Sequence, residues 1–189
     1  MSLPICPSGC TSNLPEFDFN LCNPTLNAGQ IAKIFFTTVG NPMIDWSSAA
    51  EWASRIDNNS TGASSIRTLI GIGDMPAPTT TDKEISLGRK VFGKRSFVVN
   101  FRVDESSAIT HDAFRQMQCT NGNYLVWLET RDHLLWGDNA GIEAAIKVDQ
   151  VIPEAYSDYV TYQITITWDA QFMPKRETSP ITDTTGDQF

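Results

Sequence analysis

From Ser96 to Glu105 the chain reads SFVVNFRVDE, with Phe97, Val99, Phe101 and Val103 on one side of a period-two pattern and Val98, Asn100 and Arg102 on the other. Such alternation predicts a strand with one covered and one wet face. It returns twice near the C-terminus. GIEAAIKVDQVI sets Ile142, Ala144, Ile146 and Val148 against Glu143, Lys147 and Asp149, and YVTYQITITW sets Val160, Tyr162, Ile164, Ile166 and Trp168 against Thr161, Gln163, Thr165 and Thr167. YLVWLE, 124–129, is apolar on both faces, as a central strand would be, and RDHLLWGD reads as its hairpin partner. IAKIFFTT, 31–38, and the short apolar run IRTLIGIG, 66–73, add two more strands. ISLGRKVFGKR reads as a strand or a hairpin arm, with Gly88 and Gly93 at bulge or turn positions.

Two segments carry a helical pattern instead. In DWSSAAEWASRI, Ser48 and Glu51 have capping-box spacing, and Ala49, Trp52, Ala53 and Ile56 share a face, which predicts a helix over 47–55. SAITHDAFRQMQC predicts a second, with Thr110 as N-cap, Ile109 and Phe114 as a hydrophobic staple, and Phe114 and Met117 docking it on a sheet. Between the elements, NNSTGASS and the proline-stiffened DMPAPTTTDKE read as exposed loops. The expected fold is therefore mainly β (α+β), an antiparallel β-sandwich or barrel with one or two short flanking helices and extended arms. Residues 1–30 form an N-terminal arm rich in Pro, Ser, Asn and Gly, residues 31–174 a single domain, and residues 175–189 a polar C-terminal tail.

A length of 189 residues suits one domain with an adequate core, and a formal charge of −8 argues against a general polyanion-binding surface. No apolar run is suited to a membrane span, and MSLPICPSGC lacks the charged start and apolar stretch of a secretion signal, so a soluble protein made in the cytosol is expected. Cys6, Cys10 and Cys22 crowd the N-terminal arm, with Cys119 far away. Their spacing is not that of a repeated zinc knuckle, and reduced thiols are the expectation.

Chemistry is hard to find in this text. His111 and His133 belong to no metal motif, the carboxylates are scattered, and GIGD at 71–74 is a lone Gly-x-Gly, read as a strand-ending turn. The expectation is no enzyme, no cofactor and no metal. One feature stands out against the acidic background: Arg89, Lys90, Lys94 and Arg95 within RKVFGKR. A basic protrusion on an acidic body gives each copy two complementary surfaces, which makes these four the candidate subunit-interface residues.

The order of elements from Ile85 to Trp168, a basic hairpin, a regular strand, a short helix, a central strand with its turn and two long alternating strands, resembles the tail-tube fold of tailed bacteriophages. Related ring, adaptor and terminator proteins share that fold. The segments LCNPTLNAGQIAKIFFTTVGNP and WDAQFMPKR are also similar in character to virion proteins of phages that infect Bacteroidetes, crAss-like phages included. The resemblance implies a virion structural protein, made in the host cytoplasm and located in the tail, that self-associates into rings or tubes, with hexameric rings expected. It implies contacts with other tail proteins, passage of DNA without sequence-specific binding, and no membrane. The lumen-facing candidates are Glu143, Lys147, Asp149, Thr161, Gln163 and Thr165. Two alternatives stand beside it: a capsid decoration or head–tail connector protein, and a ligand-binding β-sandwich using Trp127, Trp136 and Trp168 as an aromatic platform.

Overall fold

The computed structural model describes residues 22, 26, 27, 29–56, 62–86, 89–119, 122–155 and 158–181. Nine strands and two helices follow one another as β1 (Ile31–Thr38), α1 (Ala49–Arg55), β2 (Arg67–Asp74), β3 (Thr79–Ser86), β4 (Arg89–Val103), α2 (Ala108–Cys119), β5 (Asn123–Thr130), β6 (Leu134–Gly137), β7 (Ile142–Val151), β8 (Thr161–Ala170) and β9 (Lys175–Thr178). All the pairings between them are antiparallel.

Six strands close on themselves in the order β1-β2-β4-β8-β7-β5, because β1 pairs with β2 on one side and with β5 on the other. The architecture is thus a closed barrel with extra strands, and the sandwich form of the expectation is not what is found. A six-stranded barrel is narrow enough for its own side chains to fill. Phe97, Val99, Phe101 and Val103 of β4 meet Tyr162, Ile164, Ile166 and Trp168 of β8 inside, with Ala144 and Val148 of β7, Val126 and Leu128 of β5, and Ile34 and Phe36 of β1. Phe97 and Trp168 stack at 5.1 Å between ring centroids.

The barrel has two distinct ends. At the helix end, where β4 finishes and β8 begins, α2 lies against the core through Phe114 and Met117. Phe114 packs on Tyr162 at 4.6 Å, His111 Nδ1 and the Tyr162 hydroxyl are 2.8 Å apart, and Gln118 donates to the Val148 carbonyl. At the opposite end β4 continues past the barrel: β8 stops at Ala170 opposite Arg95, while among the described residues the 89–94 stretch of β4 pairs only with β3.

The two faces of the wall also differ. Outside β1 and β5, a second core joins Phe35, Leu125 and Trp127 to Met43, Trp46, Trp52, Ile66 and Leu135. Trp52 of α1 sits 5.2 Å from Phe35 and edge-on to Trp127, and its indole N–H donates to the Trp46 carbonyl. β1 and β5 are consequently buried on both sides. Outside β4, β8 and β7 no helix is packed among the described residues, and the outward side chains are exposed or half-buried.

Several local expectations change. DMPAPTTTDKE is not all loop, since Thr79–Ser86 is β3. GIGD lies within β2 rather than at a turn, because Gly71 and Gly73 let that strand approach β4: a methyl on Gly73 would stand 2.6 Å from Phe101 Cδ2, and one on Gly71 would meet the Arg102 carbonyl. α1 starts at Ala49 with Ser48 as N-cap, but of its expected apolar face only Trp52 is buried and Ile56 half-buried. Glu51 reaches past the cap to accept from the Ile44 and Asp45 N–H groups. Burial pushes the Glu51 carboxyl up, yet these bonds together with Arg55 outweigh it and leave the group below the ordinary glutamate range. α2 begins two residues before Thr110, with Ser107 Oγ accepting from the Thr110 N–H, and Ile109 is 84% exposed, so the staple to Phe114 does not form. In the tail, Lys175–Thr178 pairs with β6, and Ile181 packs on the second core.

Candidate assembly surfaces

The outward rows of β4, β8 and β7 form one continuous surface. Register places Arg102 beside Gln163 and Asp149, Asn100 beside Thr165 and Lys147, and Val98 beside Thr167 and Ala145. All six lumen-facing candidates fall on it: Glu143, Lys147, Asp149 and Gln163 are exposed, and Thr161 and Thr165 half-buried. Strand alternation alone brings them together, since residues two apart on neighbouring strands share a face.

Electrostatically this face has a specific arrangement. Lys147 Nζ is 2.7 Å from Asp149 Oδ2, Arg102 Nε is 3.1 Å from Asp104 Oδ1, and Lys94 Nζ is 2.5 Å from Asp169 Oδ2. Its lysines and its arginine therefore each have a carboxylate partner, while Asp74 and Glu143 add negative charge with no salt bridge to a cation among the described residues. Asp169 was not among the sequence candidates, although continuing the outward row Thr161, Gln163, Thr165, Thr167 by one step reaches it. Its carboxyl is held below the ordinary aspartate range by hydrogen bonds from Lys94 and Ser96.

The four basic interface candidates lie along β4 where it leaves the barrel. Arg89 and Lys90 belong to the paired part of the β3–β4 ribbon, opposite Ser86 and Glu84, and their side chains lie outside the described set. Arg95 is half-buried opposite Thr80, and Lys94 is engaged by Asp169. Gly93 sits at a register shift where a methyl would collide with the Thr81 carbonyl oxygen, so its role is close strand approach at a bulge.

Other sequence features resolve differently. Trp127 and Trp168 are buried in the two cores, while Trp136 is half-buried with the Arg176 guanidinium 5.7 Å from its ring centroid, so the three indoles share no open platform. Among the described residues no group of three or more His, Cys, Asp or Glu could hold a metal. Cys6 and Cys10 lie outside the described residues, as does the Cys119 side chain, and Cys22 is exposed. Lys33 and Glu129 face each other across β1 and β5, both buried; His133 Nδ1 is 3.3 Å from Glu129 Oε1, and Glu129 Oε2 has no hydrogen-bond partner among the described residues. Among the described residues no helix is long and apolar enough to cross a membrane. Comparison with known protein families and with curated proteins gives no match.

Proposed function

We propose that this chain is a bacteriophage virion structural protein, a tail-tube or tail-ring subunit that assembles in the tail as a homo-oligomeric, hexameric ring enclosing a passage for DNA. The observation that carries this reading is the uncovered β4–β8–β7 face with its neutralised cations. Duplex DNA presents about one negative charge per 1.7 Å and binds proteins largely by exchanging counterions for free Lys and Arg. A wall on which carboxylates outnumber cations, and each cation has a carboxylate beside it, disfavours phosphate contacts and suits a passage that DNA crosses without sticking. The projecting β3–β4 ribbon supplies a natural contact for neighbouring copies or adjoining tail proteins, in keeping with the resemblance in element order. The function rests on surfaces and needs no catalytic group or cofactor.

Negative-stain imaging of the purified protein, paired with its mass in solution, tests the proposal. Rings or short tubes with a central hole are expected. Particles that assemble only as compact trimers would instead fit a capsid decoration protein and overturn the conduit.

A further inference from the structure

We infer that the outer end of the β1–β5 seam is a binding site for a small zwitterion of the α-amino-acid class, its ammonium group held on the Glu129 carboxylate and its carboxylate on the Arg131 guanidinium and the His133 ring. The inference does not depend on the proposed conduit. In the closed ring of six strands β1 stands three places from β8, so this seam lies across the barrel from the exposed β4–β8–β7 wall.

Strand alternation creates the site. On β5, Val126 and Leu128 fill the barrel while Trp127 and Glu129 fall on its outer side. Trp127 is met there by Trp52, but one step further along β5 the second core ends, and Glu129 stands beside Lys33 of β1. The chain then turns through Arg131 and His133 into β6. His133 takes a left-handed backbone (φ 54°), its N–H donating to the Thr130 carbonyl and its own carbonyl accepting from the Ser179 N–H. This turn carries the imidazole back to 3.3 Å from Glu129 Oε1. Lys33, Glu129, Arg131 and His133 line one cavity of about 380 Å³, a size typical of small-molecule sites, and Ala32 and Gly71 in its wall take up little of the space.

Charge selects the class of ligand. Glu129 is 2% exposed, and its Oε2 has no hydrogen-bond partner among the described residues. A buried carboxylate oxygen without a donor is costly, and the donor that satisfies it best is a charged one. A simple cation at that oxygen, however, also meets Lys33 and Arg131 around the same cavity and is repelled by them. An inorganic anion has the opposite difficulty: it finds Arg131, which makes no salt bridge among the described residues, but it faces the carboxylate and leaves Oε2 unsatisfied. A molecule carrying an ammonium and a carboxylate on one carbon satisfies both sides, giving Oε2 its donor and the basic groups their acceptor.

Titration of the full chain with free α-amino acids, one at a time, tests the site, with methylammonium and acetate as the two half-ligands. At least one amino acid is expected to raise the melting temperature, by roughly 5–10 °C at a hundredfold excess over its Kd, while neither half-ligand does so at the same concentration. The chain has two histidines, so proton NMR locates the contact: the His133 ring signal moves on binding, and that of His111, 2.8 Å from the Tyr162 hydroxyl at the helix end, stays. Glu129→Gln and Arg131→Ala are each expected to weaken binding about ten- to a hundredfold. Arg131 is exposed on its turn, so its variant keeps the fold and reports on the site even where Glu129→Gln lowers the melting temperature. A panel in which no amino acid shifts either the melting temperature or the His133 signal overturns the inference. Acetate binding as well as any amino acid, with Glu129→Gln indistinguishable from wild type, overturns it in favour of an anion site. Methylammonium doing the same, with Arg131→Ala indistinguishable, overturns it in favour of a cation site.

Discussion

Replacing Gly71 with alanine tests the account of how the barrel closes. β2 and β4 are joined at three register positions, Ile72–Arg102, Gly73–Phe101 and Asp74–Asn100, the shortest seam in the closed sheet. A methyl at Gly71 would strike the Arg102 carbonyl oxygen and stand 2.8 Å from Phe101 Cε1, well inside the 3.5–4.0 Å of ordinary carbon contact. Phe101 is buried in the barrel and the carbonyl is backbone, so neither can yield by a simple rotamer change. Overpacking of this kind costs about 1–3 kcal/mol, and a clash with backbone belongs at the upper end. For a chain of this length each kcal/mol lowers the melting temperature by about 2–4 °C, so roughly 6–12 °C is expected. Thermal unfolding followed by far-UV circular dichroism reads the shift, and amide exchange at Gly73 and Arg102 localises it to the seam. Gly29→Ala is the control: nothing lies within 4 Å of its added methyl, and its effect stays within about 0.5 kcal/mol. A Gly71→Ala protein melting within about 2 °C of wild type would refute the close-approach role of this glycine.

Two further predictions concern the exposed wall. With its carboxyl held below the ordinary aspartate value by Lys94 and Ser96, Asp169 titrates lower folded than unfolded, so its stabilising contribution is complete above the unfolded pKa and disappears as pH falls through the folded one. Lys94→Ala is expected to raise the Asp169 midpoint in an NMR titration of the side-chain carboxyl, and an unmoved midpoint contradicts the pairing. Changing Glu143 and Asp149 together to Lys leaves the outer row of β7 with three lysines and no carboxylate and should create DNA binding, seen as a gel shift that vanishes with added salt, where the wild type gives none at physiological ionic strength. Equal shifts for both proteins would show that the native wall is not inert.

The parts of the fold legible in the sequence were those where water marks one face. Phe97 to Val103, Ile142 to Val148 and Tyr162 to Trp168 alternate because one side of β4, β7 and β8 fills the barrel and the other is wet. Thr79–Glu84 escaped because Thr79, Thr80, Thr81, Asp82 and Glu84 are all exposed and print no pattern, leaving only the threonines to indicate a strand. Lys175–Thr178 escaped for the same reason, every one of its residues being exposed. Gly71 and Gly73 carry the same letters whether they end a strand or admit a neighbouring ring; only the position of Phe101 decides between these. On the wall, alternation was enough to group Glu143, Lys147, Asp149, Thr161, Gln163 and Thr165. The charge balance there was hidden, since Lys94 and Asp169 are 75 residues apart in the chain.

The burial of β1 on both faces bears on how the chain is made. IAKIFFTT needs β5 for its second partner, and Thr130, opposite Ile31, comes 99 residues later in the sequence. Ribosomes add about 5–20 residues per second, so this apolar strand waits roughly 5–20 s after synthesis before its partner exists. Loop closure over such a separation is slow to be rewarded. Each newly made copy thus passes through a period in which a strand buried on both faces in the finished barrel has no second partner, an exposure set by the order of the strands along the chain and not by the stability of the closed sheet.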